Sequence, residues 1–249
     1  MADEALIAVF IDYENLAIGV RDMKTKFRID LIMKRLLEKG RVVYKRAYCD
    51  WSNYRSAENE LHTHGIELMD IPQSKVSGKN SADIRMVVDA IDLCYSKDHI
   101  DTFALISGDS DFSPLVSKLK ENHRRVIGCG VKSSTSNLLI ANCDEFIYYD
   151  DLARHAQKKK TGPKKKSSKK DKQTEALELV TETVQSLEVD YDPVWGSQIK
   201  QTIKRVHPGF NESYYGYRTF NDLLEDGAKN KLIELDYDEN RGNYTVRAL

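Results

Sequence analysis

The stretch Phe103–Leu115, FALISGDSDFSPL, constrains this chain more than any other. A short apolar run stops at Ser107-Gly108, two aspartates (Asp109 and Asp111) occupy the turn, and Phe112 to Asn122 has the pattern of a helix. Strand, acidic turn and helix in that order is how an open α/β sheet presents ligands, at the carboxyl ends of its strands. Two carboxylates separated by one residue are costly to bring together without a cation between them. A plainer reading stands beside that one: Asp is a common helix N-cap, and Ser110 or Asp111 fits that role alone.

The residues before this stretch repeat the same alternation. Leu6–Ile11 (LIAVFI) is a continuous apolar run, as expected of a strand buried on both faces. It ends in Asp12-Tyr13-Glu14-Asn15, which puts an acid at the edge that also receives Asp109. Asp30 reads as the N-cap of a helix carrying Leu31, Ile32, Leu36 and Leu37 and stopped at Gly40. Val42–Tyr48 and Ile66–Ile71 read as strands, with a polar helix from Ser52 to His64 between them. A polar loop, Lys75–Ser81, leads into a helix over 82–95. The spacing of Ile84, Val87, Val88, Ile91, Cys94 and Tyr95 predicts its core face, with Asp89 and Asp92 on a solvated side. Val126–Val131 and Glu145–Tyr149 supply two more strands around a short helix at Ser136–Asn142. About six strands and at least four helices, alternating, imply right-handed crossovers and a mainly parallel sheet.

Asp83 lies in the first turn of the 82–95 helix. The helix dipole alone favours an acid there; the other reading is that it projects over the sheet edge toward Asp12 and Asp109. Asp12, Asp83, Asp109 and Asp111 then come from three separate junctions and converge. The sequence has no Cys/His cluster with zinc spacing. All-oxygen ligation suits Mg²⁺ or Mn²⁺, ions that activate water for phosphodiester hydrolysis. Asn15, Ser107, Lys79 and Asn80 are candidates for supporting hydrogen bonds or a phosphate contact. There is no G-x-x-x-x-G-K-S/T loop. Position 14 is Glu where a dehalogenase-type phosphatase wants a second Asp.

These residues carry a resemblance. FIDYENL (10–16), Lys79-x-x-x-Asp83 with the following VVDAI, and LISGDSDFSPLV (105–116) resemble, in order, the three motifs of NYN domains, including the LabA-like branch of the PIN-like nuclease superfamily. The resemblance covers residues 5 to about 150. It implies a PIN-like (Rossmannoid) α/β/α sandwich over 1–155 and a metal-dependent ribonuclease site. Asp12, Asp83, Asp109 and Asp111 are its expected catalytic metal ligands, with Asn15, Ser107 and Lys79 in support. Tyr13 stands where family members often have a smaller residue.

Charge divides the remainder. The 249 residues sum to a net −1, yet residues 156–173 hold nine lysines against one acid, and 174–249 hold eight basic residues against fourteen acidic ones. The lysine segment has no aliphatic side chain larger than alanine, so it is expected to be a disordered linker, with solubilising and phosphate-binding roles both open. Beyond it, Glu175–Leu187, Gln198–His207 and Tyr217–Lys231 read as helices, and Leu232–Tyr237 with Asn243–Val246 as a hairpin. Three helices and a hairpin describe a winged helix. YYGYRTFNDLLEDGAKNKLIEL (214–235) resembles the OST-HTH, or LOTUS, domain, which implies RNA or protein-partner binding over 174–249. Lys200, Lys204, Arg205 and Arg218 could form a local basic patch, and Tyr214, Tyr215 and Tyr217 could stack on bases.

Four dispersed cysteines in apolar runs suit a reducing, cytoplasmic setting. The first residues are acidic where a secretory signal is cationic, and no apolar run approaches membrane-spanning length. Three functional expectations follow: a Mg²⁺- or Mn²⁺-dependent ribonuclease whose C-terminal part selects RNA, a non-catalytic RNA-binding adaptor, or a regulatory scaffold whose C-terminal part binds a protein.

Overall fold

The computed structural model describes residues 4–22, 27–72, 80–160 and 169–249. The chain divides into two compact units, one of residues 1–36 and 40–161 and one of residues 37–39 and 162–249. Lys79 and most of the Lys75–Ser81 loop lie outside the described residues.

Six strands build the first unit: β1 (Leu6–Asp12), β2 (Arg41–Cys49), β3 (Glu67–Asp70), β4 (Thr102–Ile106), β5 (Arg125–Gly130) and β6 (Glu145–Tyr148). They form one sheet in the order β3-β2-β1-β4-β5-β6, and every pairing is parallel. Alternation along β1 sends Ile7, Val9 and Ile11 into one apolar layer and Ala8 and Phe10 into the other. All five are fully buried, as a central parallel strand requires. Phe10 stacks on Phe103 of β4 at 6.0 Å and on Tyr48 of β2 at 6.4 Å, which ties the three central strands together on one face.

Helices cover both faces. The Ile7 layer receives α1 (Tyr13–Asp22), α2 (Ile29–Lys39), α3 (Arg55–Thr63) and α7 (Tyr149–Lys160). The Phe10 layer receives α4 (Ser81–Ser96), α5 (Ser113–Glu121) and α6 (Asn137–Asn142). The strands and five of these helices fall where the hydrophobic pattern predicts. The helices α1 and α7 were not foreseen. Both start at the last residue of a strand or next to it, where the acids Glu14 in α1 and Asp150 and Asp151 in α7 favour the first turn.

Two expectations about α4 are corrected. Its buried face is Met86, Ala90, Leu93 and Cys94. Of the predicted stripe only Cys94 is buried; Val87 and Ile91 are half-buried, while Ile84, Val88 and Tyr95 are exposed. The helix carries apolar residues on two faces, so periodicity alone does not choose between them. Packing selects the face with Ala90 and Cys94, whose small side chains let the helix lie close to the sheet. Asp89, expected to be solvated, has a side chain only 10% exposed. It pairs with Arg46 at 3.0 Å and Arg85 at 2.9 Å and accepts from the Tyr48 hydroxyl at 2.9 Å. Arg46 and Tyr48 come from β2, a partner that spacing within the helix cannot reveal.

The second unit contains α8 (Lys169–Leu187), β7 (Val194–Trp195), α9 (Gly196–Val206), α10 (Phe220–Lys229), β8 (Ile233–Asp238) and β9 (Asn243–Ala248). Its three strands are antiparallel in the order β7-β9-β8. Val180, Val184, Ile199, Ile203, Leu223, Leu224 and Val246 make a separate core. Thr219 caps α10: its hydroxyl accepts from the Asp222 N–H at 3.1 Å while its own N–H donates to the Asp222 carboxylate at 2.9 Å. The lysine-rich segment, expected to be disordered, is helical at both described ends, in α7 to Lys160 and in α8 from Lys169. Lysine and glutamine are good helix formers, so continuing a packed helix costs little. Residues 161–168 lie outside the described residues. Among the described residues, no helix is long and apolar enough to cross a membrane.

Asp89→Ala is expected to lower the unfolding free energy by about 2–4 kcal/mol, because it leaves Arg46 and the Tyr48 hydroxyl without a shared acceptor. Urea denaturation followed by circular dichroism measures this; a loss below about 0.5 kcal/mol would show that the network does not anchor α4.

Candidate active site

The strand order reverses between β1 and β4. From β1 the chain moves outward through β2 to β3, then returns across α4 to β4 on the other side of β1. The two neighbouring βα turns therefore leave in opposite directions and open a crevice at the carboxyl ends of β1 and β4. Ile11 is level with Ile106 in the pairing, so Asp12 and Ser107 emerge beside each other.

Asp12 is 7% exposed and Ser107 fully buried. The Ser107 hydroxyl donates to Asp12 Oδ2 at 2.8 Å and accepts from the Asp109 N–H at 3.2 Å. The Asn15 N–H donates to Asp12 Oδ1 at 3.2 Å. Asn15 Oδ1 in turn accepts from the Gly108 N–H at 2.9 Å, tying the turn after β1 to the turn after β4. Asp109 accepts from the Asp111 N–H at 2.9 Å, capping the short helical turn that precedes α5. A Cβ on Gly108 would come within 2.4 Å of the Ser134 carbonyl, so glycine is needed for the backbones to approach.

Burial pushes the Asp12 carboxyl up from 3.8 to about 7, the hydrogen bonds from Ser107 and Asn15 oppose this, and the charges of Asp83 and Asp109 add to it. Asp83 is also raised, first by burial, then by Asp109, Asp111 and Glu14. These mutual effects place all four predicted aspartates in one neighbourhood. Asp111 is the exposed member, at the solvent side. Glu14 joins them. Sequence reasoning used position 14 only to exclude a phosphatase, although an acid two residues after Asp12, in the first turn of α1, was the available signal.

The donors are carboxylates, the oxygen set that hard divalent cations take, and Asp12, its pKa raised first by burial and then by the charges of Asp83 and Asp109, is a carboxyl whose ionised form a cation would favour. Among the described residues, no three His, Cys, Asp or Glu side chains are gathered tightly enough to hold an ion as they stand. Asn80 precedes α4 and is exposed.

In the second unit the candidate residues separate. Lys204 and Arg218 are exposed. Lys200 pairs with Glu212 at 2.9 Å, and half-buried Arg205 donates to the Thr202 hydroxyl at 2.9 Å. Tyr215 stacks on Phe210 at 5.3 Å, and buried Tyr217 donates to Asp226 at 2.6 Å, so both serve the fold. Tyr214 is the exposed ring, 61% accessible, with the Lys172 ammonium 3.9 Å above it.

The sequence matches the NYN domain over residues 6–150, the span that contains the sheet and all four aspartates. The chain belongs to the NYN domain family. NYN domains are a PIN-like nuclease family, and the six-stranded parallel sheet suits that fold. Over 138 residues the chain is 31% identical to an uncharacterized protein of Methanocaldococcus jannaschii, a match covering 55% of this chain and 52% of that protein. The chain thus spans about half the length of this relative. The crystal structure of a Vibrio parahaemolyticus protein of unknown function is similar, with a TM-score of 0.53 and 27% identity, over 61% of this chain and 97% of that one.

The pH dependence of the NYN unit follows from Asp12. Its pKa is higher folded than unfolded, so the stability it contributes is fully present below pH 4 and is lost as pH rises through about 7. Asp12→Asn carries no charge to bury. Without divalent cation it is expected to melt above wild type at pH 8, by the equivalent of a few kcal/mol, with the gap closing toward pH 4. Equal melting temperatures at pH 8 would show that the Asp12 carboxylate is solvated.

Proposed function

We propose that the NYN unit is a metal-dependent ribonuclease that hydrolyses RNA phosphodiester bonds. The observation that carries this reading is a buried carboxyl, Asp12, at the sheet's switch point, its pKa raised first by burial and further by the nearby charges of Asp83 and Asp109. Asp12, Asp83 and Asp109 would hold Mg²⁺ or Mn²⁺. When bound, the cation supplies an activated water and neutralises charge on the phosphate.

The chain's own residues do the rest. Ser107 and the Asn15 N–H hold the two oxygens of Asp12 in one orientation, so the carboxylate does not rotate as it binds. The Asn15 link to Gly108 keeps the Asp109 turn against the Asp12 turn. Asp111, on the solvent side, completes the set or orients the attacking water. By its resemblance to the family motif, Lys79 would supply a supporting hydrogen bond or a phosphate contact. Asn80, at the entry to α4, is the described neighbour of that position.

For the second unit we propose a winged-helix module of the OST-HTH, or LOTUS, type. Three helices packed on a small antiparallel sheet support it. Its net acidity disfavours a broad phosphate-binding face, so RNA contact would centre on Tyr214, Lys172, Lys204 and Arg218. This module would select the RNA, in a cytoplasmic setting that keeps the cysteines reduced. A non-catalytic RNA-binding adaptor is the second reading; the exposed Tyr214 ring beneath the Lys172 ammonium, a contact that needs no metal, favours it.

The test is cleavage of an end-labelled, mixed-sequence single-stranded RNA by the full chain in Mg²⁺, Mn²⁺ or EDTA, beside Asp12→Asn. The expected result is metal-dependent product that falls by two or more orders of magnitude in the variant. Mg²⁺ or Mn²⁺ should also raise the melting temperature of wild type and not of Asp12→Asn. Intact RNA in every lane, with RNA binding that ignores metal, would move the assignment to the adaptor.

A further inference from the structure

We propose that the exposed face of α4 is a two-fold interface at which a second copy of this chain docks, the two α4 helices lying antiparallel. Ile84 is 63%, Val88 56% and Tyr95 59% exposed, although aliphatic and aromatic side chains of this size usually find cover. With half-buried Ile91 they occupy positions i, i+4, i+7 and i+11, one row along the helix spanning about 60° of its circumference at 100° per residue. The buried residues Met86, Ala90, Leu93 and Cys94 take up the opposite side, so this row is not an edge of the core. Exposed side chains of this kind, grouped in one place, present on the order of a few hundred Å² of apolar surface, the size at which a patch marks a contact site.

The pattern is self-complementary, which selects the occupant. Reversing the helix about its centre sets Ile84 against Tyr95 of a second copy and Val88 against Ile91. The charges follow the same symmetry. Arg85 and Asp92 lie on one flank of the row, about 20° apart around the helix. In an antiparallel pair the matching flanks meet, so Arg85 of each copy faces Asp92 of the other. Asp92 is exposed, and among the described residues Arg85 donates through its Nε to Asp89. The Tyr95 hydroxyl accepts from Asn122 at 3.3 Å, which fixes the outer anchor of the row. An RNA partner fits less well, since the row's aliphatic residues offer no base a stacking surface and Asp92 beside them repels phosphate. A pair of sixteen-residue helices, each about 24 Å long, buries less than the ~800 Å² per partner of a standard interface, so the dimer is expected to be reversible in the micromolar range.

The experiment is sedimentation velocity of the full chain from low to high micromolar concentration. Wild type should shift from monomer to dimer across that range, and Val88→Asp should raise the dissociation constant more than tenfold while its melting temperature and circular dichroism stay unchanged. Asp92→Arg and Arg85→Glu should each dimerise poorly alone, and an equimolar mixture should regain the dimer, because mixing restores both opposite-charge contacts. A monomer at every concentration overturns the proposal, including the case where Val88→Asp weakens RNA retention and assigns the face to RNA. A dimer indifferent to Val88→Asp, or a mixture that does not recover, overturns it as well.

Discussion

The hydrogen bond from Ser107 to Asp12 is the interaction on which the arrangement of the first unit turns. It joins the ends of β1 and β4, the two strands whose outgoing connections part in opposite directions. A carboxylate at that place loses much of its hydration, and its neighbours Asp83 and Asp109 make the charge costlier still. The hydroxyl and the Asn15 N–H offset part of that cost. The carboxyl is therefore buried and oriented at once, with a pKa that burial raises and its hydrogen bonds hold down. The fold supplies the position, and the turn residues supply the partners.

The parallel sheet explains why the acids meet. Every strand runs the same way, so every strand-to-helix turn in the first unit leaves at one edge. Acids at the ends of β1 and β4 and at the start of α4 have nowhere else to go. The Asp89 network adds a second constraint. By fastening α4 to Arg46 and Tyr48 of β2, it sets the rotation of the helix that carries Asp83. The same rotation turns Met86 and Ala90 inward and leaves Ile84, Val88 and Tyr95 outside. One side-chain network thus bears on both the acidic crevice and the apolar face.

The second unit shows a different division of labour. Aromatic residues that look alike in sequence, Tyr214, Tyr215 and Tyr217, have three fates: exposed beneath an ammonium, stacked on Phe210, and buried against Asp226. A tyrosine near a turn carries no mark of whether its ring will be used for packing or for contact. Only the positions of Phe210 and Asp226 in space decide.

By itself the sequence determined the alternation of strands and helices, the parallel sense of the first sheet and the identity of the aspartates at its edge. These follow from local patterns: continuous apolar runs, acids after the first and fourth of them, and an acid in the first turn of the helix between. The tertiary structure alone decided which face of α4 is buried, that Asp89 is an anchor and not a surface charge, and that Glu14 joins the acidic neighbourhood. Each of these depends on a residue far away in the chain. An amphipathic helix with two apolar faces has no preferred rotation until a sheet is packed against it, and a carboxylate's role is set by the charges that folding brings within reach.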